Sequence, residues 1–274
     1  MKTVQERAYA KINLTLGVRS RRADGYHELD MLMQTVDLYD SVTVSPSAGI
    51  TVTATGMVLP YNNTLRKAAE YYRLMTGKGS EIRVVKRIPS QAGLGGGSAD
   101  AAAVLRALDR LYGETDRQTL RDIALKVGAD VPFCLQGGFC RAEGIGERLT
   151  PLKGMPLYAV IAKPEAGVST KQLYESLTLP LKMPDTSRGI RAVAGGDLME
   201  LAGCLYNALE EPAVGLVPEI GTLKERLLNL GAAGASMTGS GSAVFGLFET
   251  FEGAEAAAEQ MSDVFFRAAV RSVS

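Results

Sequence analysis

The chain has no tryptophan, a single histidine (His27) and only three cysteines, Cys134, Cys140 and Cys204. One histidine excludes a histidine-based metal centre, a Ser-His-Asp triad and a His-Arg-Asp kinase loop. An odd cysteine count without a Cys-x-x-Cys pair argues against a zinc ribbon or a disulfide framework, and reads as reduced thiols in a cytosolic protein. Charge of one sign is lacking too. The 30 Lys and Arg residues balance 30 Asp and Glu, so no sequence-wide field draws the chain toward nucleic acid or an anionic membrane. The basic runs at 19–22 and 83–87 then read as solvated faces. No apolar run is long enough to span a bilayer, and Glu6, Arg7 and Lys11 interrupt the stretch where a leader needs apolar residues. The expectation is a cytoplasmic protein with a small-molecule substrate, no nucleic-acid partner and no membrane contact; the sequence sets no oligomeric state.

What is present suits a globular protein. A length of 274 residues, 46% of them apolar, allows two modest domains or one large one. Alternation opens the chain: in Ala10-Lys11-Ile12-Asn13-Leu14-Thr15-Leu16 the aliphatic residues share one face of a strand and Lys11, Asn13 and Thr15 the other. Further strands are predicted at 28–36, 41–44, 50–55 and 81–88, mostly ahead of the first helices, an order that gives an α+β class with helices on one face. Asn62-Asn63 offers a cap for a helix that turns Leu65, Ala69, Tyr72 and Met75 inward and stops at Gly77. A second helix spans 98–111. A third, with capping-box spacing in Thr115-Asp116-Arg117-Gln118, carries the apolar stripe Leu120, Ile123, Ala124 and Val127. Strands follow around Phe139, around Leu149 and at 157–163, then helices from Ser169-Thr170 and Pro218-Glu219. A domain boundary is expected near residue 155.

The chemistry concentrates in Pro89-Ser90-Gln91-Ala92-Gly93-Leu94-Gly95-Gly96-Gly97-Ser98-Ala99. A strand ends at Pro89, a glycine loop follows and an Ala-rich helix begins at Ser98. Without Cβ atoms, Gly95, Gly96 and Gly97 let main-chain N–H groups close on an anion, and the helix adds unpaired donors and the positive end of its dipole. The loop is not a Walker A, which needs Gly-Lys-Ser/Thr. Nor is it a dinucleotide fingerprint, since Ser98 stands where the third glycine belongs. A second glycine cluster runs from Gly234 to Ser242. Alone it reads as a hairpin turn; beside the first loop it adds small-residue donors near a transferred group.

Three stretches together, Ala10-Lys11-Ile12-Asn13-Leu14, Pro89 to Ala99 and Gly234 to Ser242, resemble the motifs of the GHMP kinases. Arg22-Ala23-Asp24-Gly25-Tyr26-His27 and Gly128-Ala129-Asp130-Val131-Pro132 resemble the branch of that family whose acceptor carries a diphosphocytidyl handle. The resemblance implies a two-domain fold: an ATP-binding N-terminal domain (1–155) like ribosomal protein S5 domain 2, and a ferredoxin-like, substrate-side C-terminal domain (156–274), with the active site between them. It implies ATP as phosphoryl donor with Mg2+, and a hydroxyl of a methylerythritol moiety as acceptor.

Residue by residue, the resemblance makes Asp130 the catalytic base and Lys11 its charged neighbour. Pro89 to Ala99, Asn63 and Lys86 become ATP contacts, and Asn13, Tyr26, His27, Thr170 and Tyr174 substrate contacts, with Tyr26 and Tyr174 as two aromatic walls approaching from the two domains. The wider superfamily has serine where Gly96 and Gly97 stand, which leaves Ser98 as the hydroxyl the loop offers to a metal. Without the resemblance, Asp130 and Asn63 read as helix caps, Lys11 as a surface lysine, His27 as a turn residue and Tyr174 as a core aromatic. Homoserine and mevalonate kinases, or a non-catalytic S5-like RNA-binding module, are the alternatives; the first two need no nucleobase clamp, and the last needs no phosphate loop.

Overall fold

The computed structural model describes residues 2–274. In chain order the elements are β1 (Val4–Arg21), β2 (His27–Ser47), β3 (Ile50–Thr55), α1 (Thr64–Thr76), β4 (Gly79–Val85), α2 (Gly96–Tyr112), α3 (Arg117–Val127), α4 (Val131–Gln136), β5 (Phe139–Gly144), β6 (Arg148–Leu152) and β7 (Tyr158–Lys163). They continue with α5 (Thr170–Ser176), α6 (Thr186–Gly195), α7 (Leu198–Ala202), β8 (Tyr206–Asn207), α8 (Glu210–Leu216), α9 (Glu219–Asn229), β9 (Gly234–Met237), β10 (Val244–Phe248), α10 (Phe251–Glu259) and β11 (Phe266–Arg271).

Packing divides the chain into two compact units that interleave along the sequence. The first holds the chain up to Ala10, Leu38–Ile88 and Gly95–Gln136; the second holds Lys11–Asp37, Pro89–Leu94 and Gly137–Ser274. This differs from a single division near residue 155. The reason is the length of β1 and β2, each of which contributes its two halves to different units.

In the first unit β3 runs parallel to β4, and β4 pairs antiparallel with the C-terminal half of β2, from Ser41 opposite Val85 to Ser47 opposite Gly79. Helices α1, α2 and α3 cover this sheet around a core that includes Val42, Ile82, Tyr72, Leu105 and Ile123. Asn63 caps α1 by accepting the Arg66 N–H at 3.0 Å, and Gly77 closes it in the left-handed conformation. The inward face is Leu65, Ala68, Ala69 and Tyr72, whereas Met75 lies 63% exposed. Alanines on almost every side of α2 keep its radius small, which lets α1, α3 and α4 pack closely around it while the helix keeps the highest intrinsic propensity. The cap of α3 is Asp116, which accepts the Thr119 N–H at 2.7 Å, one residue later than the sequence pattern placed it.

In the second unit the N-terminal half of β2 pairs with β5, β5 with β6, and β8 lies parallel to β1. A separate antiparallel sheet has the order β11-β7-β10-β9, with α9 and α10 packed on it. The predicted strands at 28–36 and 41–44 are one continuous strand, β2. The alternation seen in β1 is real but both of its faces are covered: Lys11, Asn13 and Thr15 are as buried as Ile12 and Leu14. A row of polar side chains held inside a protein must be paired, and that requirement leads to the site.

Candidate active site

Inside the second unit three distant stretches meet. Thr238 lies in the loop between β9 and β10; its Oγ1 accepts the main-chain N–H of Asn13 at 3.0 Å and donates at 3.4 Å to Asn13 Oδ1 and to the Gly93 carbonyl. The Lys11 N–H donates to the Leu94 carbonyl at 3.0 Å, and the N–H groups of Ser242 and Ala243 donate to the carbonyls of Gln91 and Ala92. Gly93 has φ +70°, and a Cβ there would lie 1.9 Å from the Thr238 carbonyl oxygen, so the two glycine clusters touch main chain to main chain. The Lys11 ammonium, buried, donates to Asn13 Oδ1 at 2.5 Å, and a Cβ on Gly239 would come within 2.9 Å of it. Thr170 and Ser240 share a hydroxyl–hydroxyl bond of 2.6 Å, which ties the start of α5 to the same loop.

Several residues that hold this arrangement carry no sequence signal. Asn207 donates from Nδ2 to the carbonyls of Met237 and Gly239, at 2.7 and 2.9 Å, while its Oδ1 accepts the Leu209 N–H. Glu210 accepts the Met237 N–H at 2.7 Å and the Ser236 hydroxyl at 3.0 Å. Lys163 donates to three successive carbonyls, Pro164, Glu165 and Ala166, and the Ser242 hydroxyl also bonds Ala166. Burial pulls the Lys163 ammonium below its ordinary value, against the charge of Glu165. Each lies on a short element or a strand end with no periodic pattern, so a signal would have to come from the partner residues.

The aromatic residues lie elsewhere in this unit. The turn from β1 to β2 closes with the Tyr26 N–H on Asp24 Oδ1 at 3.1 Å and with Gly25 at φ +86°, leaving Tyr26 58% exposed. His27 stacks on Tyr174, ring centroids 4.9 Å apart at 27°. Tyr26 and Tyr174 belong to the same compact unit, which differs from an approach from two domains, and the ring stacked on Tyr174 is His27. Burial, then the charge of Arg21, lowers the His27 imidazole below its ordinary value, which favours its neutral form.

In the first unit, α2 begins at Gly96, two residues before the predicted Ser98. Gly95 is its left-handed cap residue and accepts the Ala99 N–H at 2.8 Å through its carbonyl. Ser98 therefore sits in the first turn of the helix, half-buried. Asn63 acts as a helix cap, with its Nδ2 on the Pro60 carbonyl at 2.8 Å. Thr64 donates to the Gly97 carbonyl at 2.6 Å and so bonds α1 to the glycine loop. Asp130 precedes α4, with its carbonyl accepting the Cys134 N–H. Lys86 departs from expectation. Its side chain, expected as an ATP contact, is 5% exposed and its ammonium bonds Asp40 and, at 2.6 Å, Asp100, so its partners are two carboxylates inside the protein. Among the described residues no three His, Cys, Asp or Glu side chains gather as metal ligands.

Comparison with known proteins places the chain in a family. The GHMP kinases N-terminal domain model matches residues 63–138 and the GHMP kinases C-terminal model residues 190–266. The chain belongs to the GHMP kinase family and has its two-domain fold. A protein of Alkaliphilus metalliredigens named 4-diphosphocytidyl-2-C-methyl-D-erythritol kinase is 42% identical, over 97% of this chain and 94% of that one. One of the same name from Caldicellulosiruptor saccharolyticus is 44% identical, over 93% and 91%. The crystal structure of a 4-(cytidine 5'-diphospho)-2C-methyl-D-erythritol kinase superposes with a TM-score of 0.86 at 39% identity, covering 99% of this chain and all of that one.

Proposed function

We propose that the protein transfers the γ-phosphoryl group of ATP to the 2-hydroxyl of 4-diphosphocytidyl-2-C-methyl-D-erythritol, giving the 2-phosphate on the non-mevalonate route to isoprenoid precursors. The observation that carries this reading is the meeting of Lys11, Asn13, residues 91–94 and Thr238 in one bonded cluster. Relatives 42–44% identical over 93–97% of the chain bear that enzyme's name.

The loop from Pro89 to Ala99 is the phosphate cradle, with main-chain N–H groups around Gly95 to Gly97 and the start of α2 as donors. Asp130 takes the proton of the attacking hydroxyl, because an alcohol becomes an adequate nucleophile only when that proton has an acceptor. Lys11 offsets negative charge as it develops on the transferred group, its ammonium oriented by Asn13 Oδ1. Ser98, half-buried in the first turn of α2, would be the protein's donor to Mg2+, and the ion would offset phosphate charge. Tyr26 offers its exposed ring to the cytosine, His27 a neutral imidazole, and Tyr174 the support behind His27. Thr170 and Asn13 complete the acceptor side, and Asn63 lines the adenine pocket. Along the chain, 1–155 is read as the ATP-binding half and 156–274 as the substrate-side half, in keeping with family matches that fall on either side of that point. The thiols form no disulfide, which accords with a cytoplasmic location.

The test is single-turnover phosphoryl transfer from ATP with three acceptors side by side: the cytidylyl substrate, mevalonate and homoserine. Transfer to the first alone is expected. Transfer to homoserine or mevalonate with none to the cytidylyl compound replaces this substrate, and transfer to none removes the kinase reading.

A further inference from the structure

Strand β4 ends at Val85 and the Lys86 N–H still bonds the Thr55 carbonyl of β3 at 2.9 Å, but the N–H groups of Arg87 and Ile88 have no strand partner before Pro89 begins the glycine loop. Asp40, one position before Ser41, where β2 begins to pair with β4, takes that partner's place: its Oδ1 accepts the N–H groups of Arg87 and of Ile88, the latter at 2.9 Å. Its Oδ2 accepts the Lys86 ammonium, which also donates to Asp100 Oδ2 in the first turns of α2. Asp40, Lys86 and Asp100 are thus three buried charges that join the middle of β2, the strand end before the loop and the helix after it.

The glycine loop rides on this cluster. A Cβ on Gly96 would lie 3.0 Å from Ile88 Cγ2 and 3.7 Å from Lys86 Nζ. Stability alone does not account for such an arrangement, because a buried ion cluster costs desolvation that an apolar replacement avoids. Its balance is also uneven, two carboxylates to one ammonium, and Asp100 Oδ1 is buried without a partner. What the cluster does uniquely is fix both ends of the loop with directional bonds.

We propose that Asp40, Lys86 and Asp100 are positioning residues for the nucleotide, setting the spacing between the strand end at Ile88 and the helix start at Gly96 on which phosphate binding depends. The proposal rests on the reading of this loop as the phosphate cradle. Lys86 then acts through the loop's main chain and not by touching ATP. Removing its ammonium sets Asp40 and Asp100 against each other beneath Gly96, and the loop must shift to part them. The damage follows pH, since the pair relaxes when it shares a proton.

The experiment measures KM for ATP, KM for the cytidylyl acceptor, kcat and melting temperature between pH 6 and 8.5 for Lys86→Met, Lys86→Met/Asp100→Asn, Asp40→Asn and Asp100→Asn. Gly96→Val reports separately on the loop. Expected for Lys86→Met is a rise in ATP KM of about tenfold or more, larger at pH 8.5 than at pH 6, with acceptor KM within about twofold. Adding Asp100→Asn should recover most of that loss, because the repelling charge is gone. Should Lys86→Met not fold, Asp40→Asn and Asp100→Asn carry the test: the first raises ATP KM selectively, and the second flattens the pH dependence of ATP KM. Folded variants with the wild-type ATP KM overturn the proposal. So does a loss that raises both KM values together and ignores pH, which marks a merely structural cluster. If Gly96→Val leaves ATP KM unchanged, the loop does not hold the nucleotide and both readings fall; if it raises ATP KM while the cluster variants do not, only the positioning role falls.

Discussion

The hydroxyl of Thr238 accepts the main-chain N–H of Asn13 at 3.0 Å, across a separation of 225 residues. That bond puts the polar row of β1 against the second glycine loop, and the carbonyl of Gly93 reaches the same hydroxyl. Phosphoryl transfer depends on positioning, so the predictions below test the geometry piece by piece.

Asp130→Asn should lower kcat by roughly 10²–10⁴ while ATP affinity stays within a few-fold, the range for loss of a positioned general base. Steady-state kinetics with a nucleotide-binding titration decide it, and near-full activity takes Asp130 out of the mechanism.

Gly93→Ala puts a Cβ 1.9 Å from the Thr238 carbonyl at a residue with φ +70°. Left-handed strain alone costs about 1–2 kcal/mol, and the main-chain clash adds to it. A clear drop in melting temperature and in kcat is expected, whereas Gly25→Ala, at φ +86° with open space around it, should cost only the strain.

Tyr26→Ala should raise KM for the cytidylyl acceptor by about tenfold, since base stacking is worth roughly 1–3 kcal/mol, while Tyr26→Phe keeps the ring and changes little. Tyr174→Ala removes the ring that His27 stacks on and should raise the same KM without moving that of ATP. An unchanged acceptor KM in both alanine variants would disprove aromatic recognition of the base.

Burial raises the Asp100 carboxyl to about 7, opposed by Lys86 and reinforced by Asp40. Its unfolded value is about 3.9, so the folded chain holds this proton more tightly. The stability it contributes is fully present below about pH 4 and is lost as pH rises through about 7. Denaturant unfolding at pH 5 and pH 8 should show this loss, roughly 1–3 kcal/mol, and Asp100→Asn should flatten that part of the profile.

Asn207→Asp replaces an amide that donates to two carbonyls with a carboxylate that repels them. The loop between β9 and β10 should loosen, with kcat falling at least about tenfold and the melting temperature dropping; a silent substitution would show that Asn207 does not hold the loop.

What the amino-acid sequence determined by itself was local. Capping residues and glycines marked the ends of α1 and α3, a period of 3.6 picked out Leu120, Ile123, Ala124 and Val127, and strict alternation found β1. These signals are legible because they depend on neighbours within a turn or two of chain. The turn from strand to helix at the glycine loop was legible for the same reason, since consecutive glycines before an Ala-rich run mark a helix start locally. Tertiary structure decided the rest. Whether the polar face of β1 met water or protein, whether Lys86 faced a nucleotide or two carboxylates, and which ring stacked on Tyr174 all turned on partners between 14 and 225 residues away. Asn207 and Glu210 were invisible because an isolated polar residue on a short element has no period; only the carbonyls and N–H groups that the folded chain brings to it give it a role.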